Sequence, residues 1–207
     1  DSYMKKNEQN TEAKIFDAAA RIFEEKGLDG ARMQEIADLA GINKALLHYY
    51  FRSKEKLFDA VFNKLAGVMF SKLFICFEND LPFNEQISLF YKEHISFLQS
   101  HPRLPAFILN EINKNPQRIV KIFQEERFKS LRERLLQEID QDIKDGHIRN
   151  IDKLQLLINI VCLSVFPFVA RGFIEEILSQ DQINFDDFIE QRKTELSEFV
   201  INAVSIK

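Results

Sequence analysis

Residues 35–58 read EIADLAGINKALLHYYFRSKEKLF. Two short runs of helical period meet at Gly41. In the first, Met33, Ile36, Ala37 and Ala40 fall on one face. Gly41 supplies a left-handed stop, and Asn43 is placed to cap a second helix over 44–50. Two short helices joined through such a turn make a helix–turn–helix. The run Leu46-Leu47-His48-Tyr49-Tyr50-Phe51 leads directly into Arg52-Ser53-Lys54. A core segment needs no such number of polar-tipped rings, and a solvated face needs no such area of ring. A helix that docks inward and touches something outward needs both. Leu47, Tyr50 and Phe51 can face inward, while Lys44, Ala45, His48 and Tyr49 lie on other sides.

Outward from this stretch, the chain keeps a helical period. Thr11 is placed to cap a first helix running to about Lys26, with Ile15, Ala19, Ile22 and Phe23 on one face and Gly27 as its stop. Ser53 is placed to cap a fourth helix to about Asn79, with Leu57, Val61, Leu65 and Val68 inward. Further helices are expected over about 84–100, 104–113, 116–144, 152–179 and 185–204, separated by Pro-, Asn- and Gly-bearing breaks. The last carries Phe188, Leu196, Phe199, Val200 and Ala203 on one face. No β-alternation competes, so the expected fold is all-α with about nine helices. The expected division is a disordered tail over 1–10, a three-helix unit over 11–53 and a larger helical unit over 54–207.

The 207 residues include twenty Phe and no Trp, with only 6 Gly and 5 Pro, which disfavours a turn-rich β fold. The net charge of −4 opposes nucleic-acid binding by the chain as a whole. Local charge decides such binding. From Arg32 to Lys56 the bases Arg32, Lys44, Arg52, Lys54 and Lys56 outnumber the acids Glu35, Asp38 and Glu55. Cys76 and Cys162 stand apart in apolar surroundings and read as buried thiols in a reducing cytoplasm. The apolar run over 156–170 is shorter than the ~20 residues a membrane span needs, so it reads as a buried helix. No signal peptide, metal motif, nucleophile motif or phosphate loop is evident, and the four His form no H-x-x-x-H pair. Neither a cofactor nor an enzymatic activity is expected.

In a helix–turn–helix the second helix enters the DNA major groove N-terminal end first. Lys44, Ala45, His48 and Tyr49 supply a cation, a small residue permitting close approach, and two rings with polar tips. Such groups bond phosphates or press on base edges and thymine methyls. Lys54 at the start of the fourth helix opposes the helix dipole, which makes sense if a phosphate arrives there.

The stretch TEAKIFDAAARIFEEKGLDGARMQEIADLAGINKALLHYYFRSKEKLF, over about 11–60, resembles the DNA-binding domain of the TetR family of bacterial transcriptional regulators. The likeness rests on F-x-E-K-G closing one helix and on M-x-E-I-A-x-x-A-G-I-x-K-x-x-L-x-x-Y-F-x-S-K-E-x-L-F. It implies DNA contacts from Arg32 and Met33, from Asn43, Lys44 and Ala45, from His48, Tyr49 and Tyr50, and from Lys54. Leu46 stands where the family often has a small polar residue, and is expected to contact a thymine methyl or to pack. Arg32 stands where Thr is usual and cannot accept a capping bond, though it binds phosphate more strongly. His48 replaces the common Tyr, keeps a donor and adds a charge at acid pH.

The resemblance further implies a larger half that encloses an effector pocket and pairs two subunits through the helices over 152–179 and 185–204. The near-continuous apolar character of the first of these supports burial on every side, with a kink near Phe166 from Pro167. The expected pocket residues are Phe70, Phe74, Phe77, Phe90, Phe97, Phe107, Phe123 and Phe166, with His94, Glu111 and Arg127 orienting an apolar or amphipathic effector. The expected partners are thus a double-stranded operator, a small effector and a second copy of the chain. The expected role is a repressor. The rival reading is a helical ligand carrier or protein-interaction module, which has no use for Arg32, Lys44, Tyr49 and Lys54 on one face.

Overall fold

Nothing between Ser2 and Lys26 breaks a helix, and α1 (Ser2–Gly30) runs back to Ser2 instead of starting at Thr11 after a disordered tail. The structure, a computed structural model, describes the backbone of residues 2–74 and 81–206, and the side chains of 10–73, 81–126 and 128–206. Gly27, at φ 66° and ψ −177°, kinks α1 where the sequence places its stop. Then follow α2 (Met33–Ala40) and α3 (Lys44–Tyr50). Gly41 sits left-handed at φ 70° between them. Its N–H bonds Asp38 O, and Ile42 N–H bonds Ala37 O, which closes α2 with paired carbonyls. Asn43 Oδ1 accepts from Leu46 N–H at 2.7 Å and starts α3.

The larger part comprises α4 (Lys54–Phe74), α5 (Phe83–Ser100), α6 (Leu104–Lys114), α7 (Gln117–Phe123), α8 (Glu126–Lys144), α9 (Lys153–Val169), α10 (Arg171–Gln180) and α11 (Phe185–Val204). The described regular structure is all helical. Ser53 Oγ caps α4 through Lys56 N–H at 3.2 Å. The end expected for this helix near Asn79 lies outside the described residues, as does Cys76. The inward face of α4 is Leu57, Phe58, Val61, Phe62, Ala66, Met69, Phe70 and Leu73. Val68, expected inside, is 43% exposed and Leu65 is half-buried. α4 packs on α1 along one side and on α5, α6 and α7 along others, so its buried stripe is wider than one file of residues. α5 lies along α11 and against α9, and the core continues from α1 through to α11.

Two expected helices are each two. The helix over 116–144 breaks at Gln124 and Glu125, with Glu125 extended at ψ 133°. Phe123 and Phe128 would point roughly 140° apart on one unbroken helix. The break brings their rings to 6.2 Å, with Phe123 also 4.9 Å from Phe70. The second division corrects the expected kink near Phe166. Pro167 lies inside α9, and the chain turns by 79° only at the junction with α10, at Ala170. Proline removes the N–H that would bond the carbonyl four residues earlier, that of Leu163. Arg192 of α11 supplies the missing donor, Nη2 to Leu163 O at 2.8 Å. Among the described residues no single helix is long and apolar enough to cross a membrane.

On α11 the buried file is Phe185, Ile189, Leu196, Val200 and Val204. Phe199 and Ala203, expected on the same face, are exposed. Cys162, expected as a buried thiol, is exposed too.

Candidate nucleic-acid interface

The small unit is built from apolar faces that meet at α1. Ile15, Ala19 and Phe23 of α1 are fully buried with Ile36 and Ala37 of α2 and Leu47 of α3. Phe16 meets Phe51 edge-on at 5.7 Å, and Lys26 ties α1 to Glu35 of α2 at 3.1 Å. With only Leu47 fully buried on α3, the rest of that helix faces outward or lies at the edge. Lys44, Ala45, His48 and Tyr49 are exposed, Tyr49 by 79%. Leu46 and Tyr50 are half-buried, and the Tyr50 ring meets Tyr49 edge-on at 5.7 Å. Arg32 is exposed at the N-cap of α2 and caps nothing, while Met33 is half-buried. Asn43 is exposed with its side chain held by the α3 cap. The outward set is therefore cationic and hydrogen-bonding around two rings, with the start of α3 fixed by the Asn43 cap.

Lys54 is placed differently from a free phosphate ligand. Its Nζ donates to Ala31 O at 3.1 Å and Asp29 O at 3.4 Å, at the junction of α1 and α2. Lys114 at the end of α6 reaches Asp29 at 3.6 Å. The junction is thus held from both α4 and α6. Sequence reasoning gave Lys54 a phosphate and missed the carbonyls, which only the approach of α4 to the α1 end brings within reach.

Behind this unit lies a cavity of about 330 Å³ among α4, α5, α7, α8 and α9. Of the expected effector residues it gathers Phe70, Phe90 and Phe123. The side chains of Phe74, Phe77 and Arg127 lie outside the described residues. The others go elsewhere. Phe107 packs on Phe58 and Phe62 at 5.8 and 6.0 Å. Phe97 stacks on His101 at 4.5 Å. Phe166 is 55% exposed on α9. Glu111 pairs with Arg118 at 2.7 Å, and burial raises its carboxyl above the usual range. Arg118 also pairs with Asp59 of α4 and lies over the Phe58 ring at 5.0 Å.

His94 is fully buried and stacks on Phe90 at 5.0 Å. Its Nδ1 lies 3.0 Å from Ser164 Oγ, and that hydroxyl donates its one proton to Val161 O at 2.9 Å. Nδ1 is therefore the protonated nitrogen and donates to Ser164, which leaves Nε2 a buried acceptor without a partner among the described residues. Burial lowers the His94 pKa to about 4. The cavity wall also includes residues that sequence reasoning missed: Leu73, Arg132, Leu135 and six residues of α9 from Leu154 to Cys162. Aliphatic residues at helical spacing look alike whether they line a cavity or fill a core, so no local signal distinguishes them. Among the described residues no group of His, Cys, Asp and Glu could hold a metal.

A capped helix–turn–helix with a polar-aromatic outer face, carried on an all-helical body, defines a helix–turn–helix DNA-binding class. Residues 15–61 match the profile of the bacterial regulatory proteins of the tetR family. The HTH-type transcriptional regulator YhgD of Bacillus subtilis (strain 168) is 32% identical over 111 residues, 54% of this chain and 50% of that protein. The HTH-type transcriptional regulator RutR of Escherichia coli (strain K12) is 41% identical over 59 residues, 28% of each. The chain thus spans half or less of these relatives' length. Its fold is similar throughout to that of a TetR family transcription regulator from Marinobacter aquaeolei VT8, with a TM-score of 0.68 at 17% identity over 98% of this chain and 100% of that one. Over residues 15–61 the chain is thus similar to the DNA-binding domain of the TetR family of bacterial regulatory proteins, and its fold is that of a TetR family regulator.

Proposed function

We propose that the chain is a ligand-responsive repressor that binds a near-palindromic operator as a dimer in the cytoplasm. The observation that carries this reading is the outer face of α3, where Lys44, His48 and Tyr49 stand exposed while Leu47 anchors the helix. In this reading, residues 11–53 form the DNA-binding domain and 54–207 the effector-binding and dimerisation domain. Arg32, Met33, Asn43, Lys44, Ala45, Leu46, His48, Tyr49 and Tyr50 contact the operator, and Lys54 adds a contact while holding the α1–α2 junction. The two recognition helices of a dimer then sit about 34–36 Å apart, or a multiple of it.

The second subunit covers an apolar stripe on α9, α10 and α11 that includes Phe166, Phe173, Ile177 and Phe199, all at least 46% exposed. A stripe of this kind is expected of a subunit interface. The effector enters the cavity and displaces α4, whose walls there are Phe70 and Leu73 and whose first residue, Lys54, grips the α1–α2 junction. Release follows only if the effector prefers the displaced state.

The test is selection from a randomised duplex pool at two salt concentrations, with the triple variant Arg32→Ala, Lys44→Ala, Tyr49→Ala as control. All three side chains are exposed, so the variant keeps its fold. The wild type enriches a palindrome with affinity that falls steeply with salt, and the variant binds it at least about a hundredfold more weakly, from about 1–3 kcal/mol per lost base contact. Equal binding by the variant sinks the interface, and no enrichment at all favours the carrier reading.

A further inference from the structure

From the chemistry of the cavity we infer that the effector is a monoanionic amphiphile: a single carboxylate on a compact aliphatic or aromatic body, with its head on Arg132. This inference rests on the reading of the chain as a ligand-responsive regulator. The floor, of Leu73, Phe90, Leu135 and Ile160, is buried and wholly apolar. It offers a ligand no hydrogen bond, so the part that reaches it is hydrocarbon. The mouth is formed by exposed residues: Phe123, Leu154, Ile158 and Arg132. Arg132 is the only charged residue in the wall among the described residues, and no carboxylate accompanies it there.

Its neighbour on the same helix, Arg134, has Glu138 at 2.6 Å, whereas Arg132 forms no ion pair among the described residues. An arginine in an apolar wall lays its stem on hydrocarbon and keeps its head in water. A ligand with its tail inside and its head at the mouth follows the same division, and the two heads meet. A planar guanidinium binds a carboxylate with two parallel bonds, and one cation balances one negative charge. A cationic head would be repelled, and a neutral one would leave the guanidinium without a counter-charge. The volume, about 330 Å³, lies at the low end for ligand sites, which limits the body to a short chain or a small ring system.

The experiment is calorimetric titration of the full chain with decanoate, decanol and decyltrimethylammonium, each below its micellar concentration, on the wild type and on Arg132→Ala and Arg132→Glu. Arg132 is exposed, and thermal unfolding verifies that both variants remain folded. In the wild type decanoate binds, decanol binds about tenfold more weakly or worse, and the cation does not bind. Arg132→Ala removes the difference between acid and alcohol, and Arg132→Glu makes the cation the preferred ligand. Equal binding of acid and alcohol, an acid preference that survives Arg132→Ala, or no binding of decanoate overturns the inference. The operator selection above is run on the same preparation. An enriched palindrome without decanoate binding defeats the cavity chemistry alone. Decanoate binding without any enriched duplex defeats the regulator reading and leaves the cavity chemistry standing.

Discussion

At the scale of single residues, two side chains perform tasks that their positions in sequence do not announce. His94 is held neutral by burial, with a pKa near 4 against an ordinary value of about 6.5. The unfolded chain therefore binds this proton at higher pH than the folded one. The His94 contribution to stability is whole above about pH 6.5 and is lost as pH falls toward 4, by about 3 kcal/mol at most. His94→Leu should flatten the stability profile over that interval, as followed by urea unfolding at successive pH values; parallel profiles for the two proteins would falsify the assignment. Lys54 joins α4 to the carbonyls of Asp29 and Ala31. Lys54→Ala is expected to lower stability by about 1 kcal/mol as well as weaken DNA binding. Lys44→Ala, at an exposed site, should weaken DNA binding and leave stability within about 0.5 kcal/mol. Thermal melts of both variants separate the two roles, and an unchanged melting temperature in Lys54→Ala would remove the structural one.

At the scale of elements, helix ends divide into those written locally and those made by a distant partner. The turn between α2 and α3 is local: Gly41 takes the left-handed conformation and Asn43 caps the helix that follows. The continuity of α9 through Pro167 is made at a distance, by Arg192 at Leu163 O. Arg192→Met should cost about 1–3 kcal/mol, because it leaves a carbonyl without a donor. Pro167→Ala restores a backbone N–H for that carbonyl. In the Pro167→Ala background the same Arg192→Met change should therefore cost clearly less. Denaturant unfolding of the four proteins in this cycle gives the coupling, and strictly additive costs would show that Arg192 does not serve that carbonyl.

At the scale of the molecule, the exposed rings of α9, α10 and α11 call for a cover. Phe173 is 64% exposed and Phe199 is 63% exposed. Phe173→Glu with Phe199→Glu places two charges on the proposed subunit face without touching the core. Sedimentation should show a dimer for the wild type and a folded monomer for the double variant, with operator affinity reduced at least about tenfold because two half-sites no longer act together. A double variant that sediments as the wild type would move the interface elsewhere.

The sequence by itself determined the all-helical fold, the helix–turn–helix with its Gly41 stop and Asn43 cap, and the outward set on α3. These depend on spacing and on contacts within a few residues, which the order of residues records directly. Leu47 buried and Tyr49 exposed follow from a 3.6-residue period alone. Only the tertiary structure decided where the cavity lies and what Lys54 and Arg192 bond. It alone divided the helices expected over 116–144 and 152–179, placed Phe107 and Phe97 in separate packings, and set His94 behind the cavity wall, stacked on Phe90. A phenylalanine carries the same preference for burial wherever it falls. Which hollow it lines is set by how helices far apart in sequence come to rest against each other, and no local pattern holds that information.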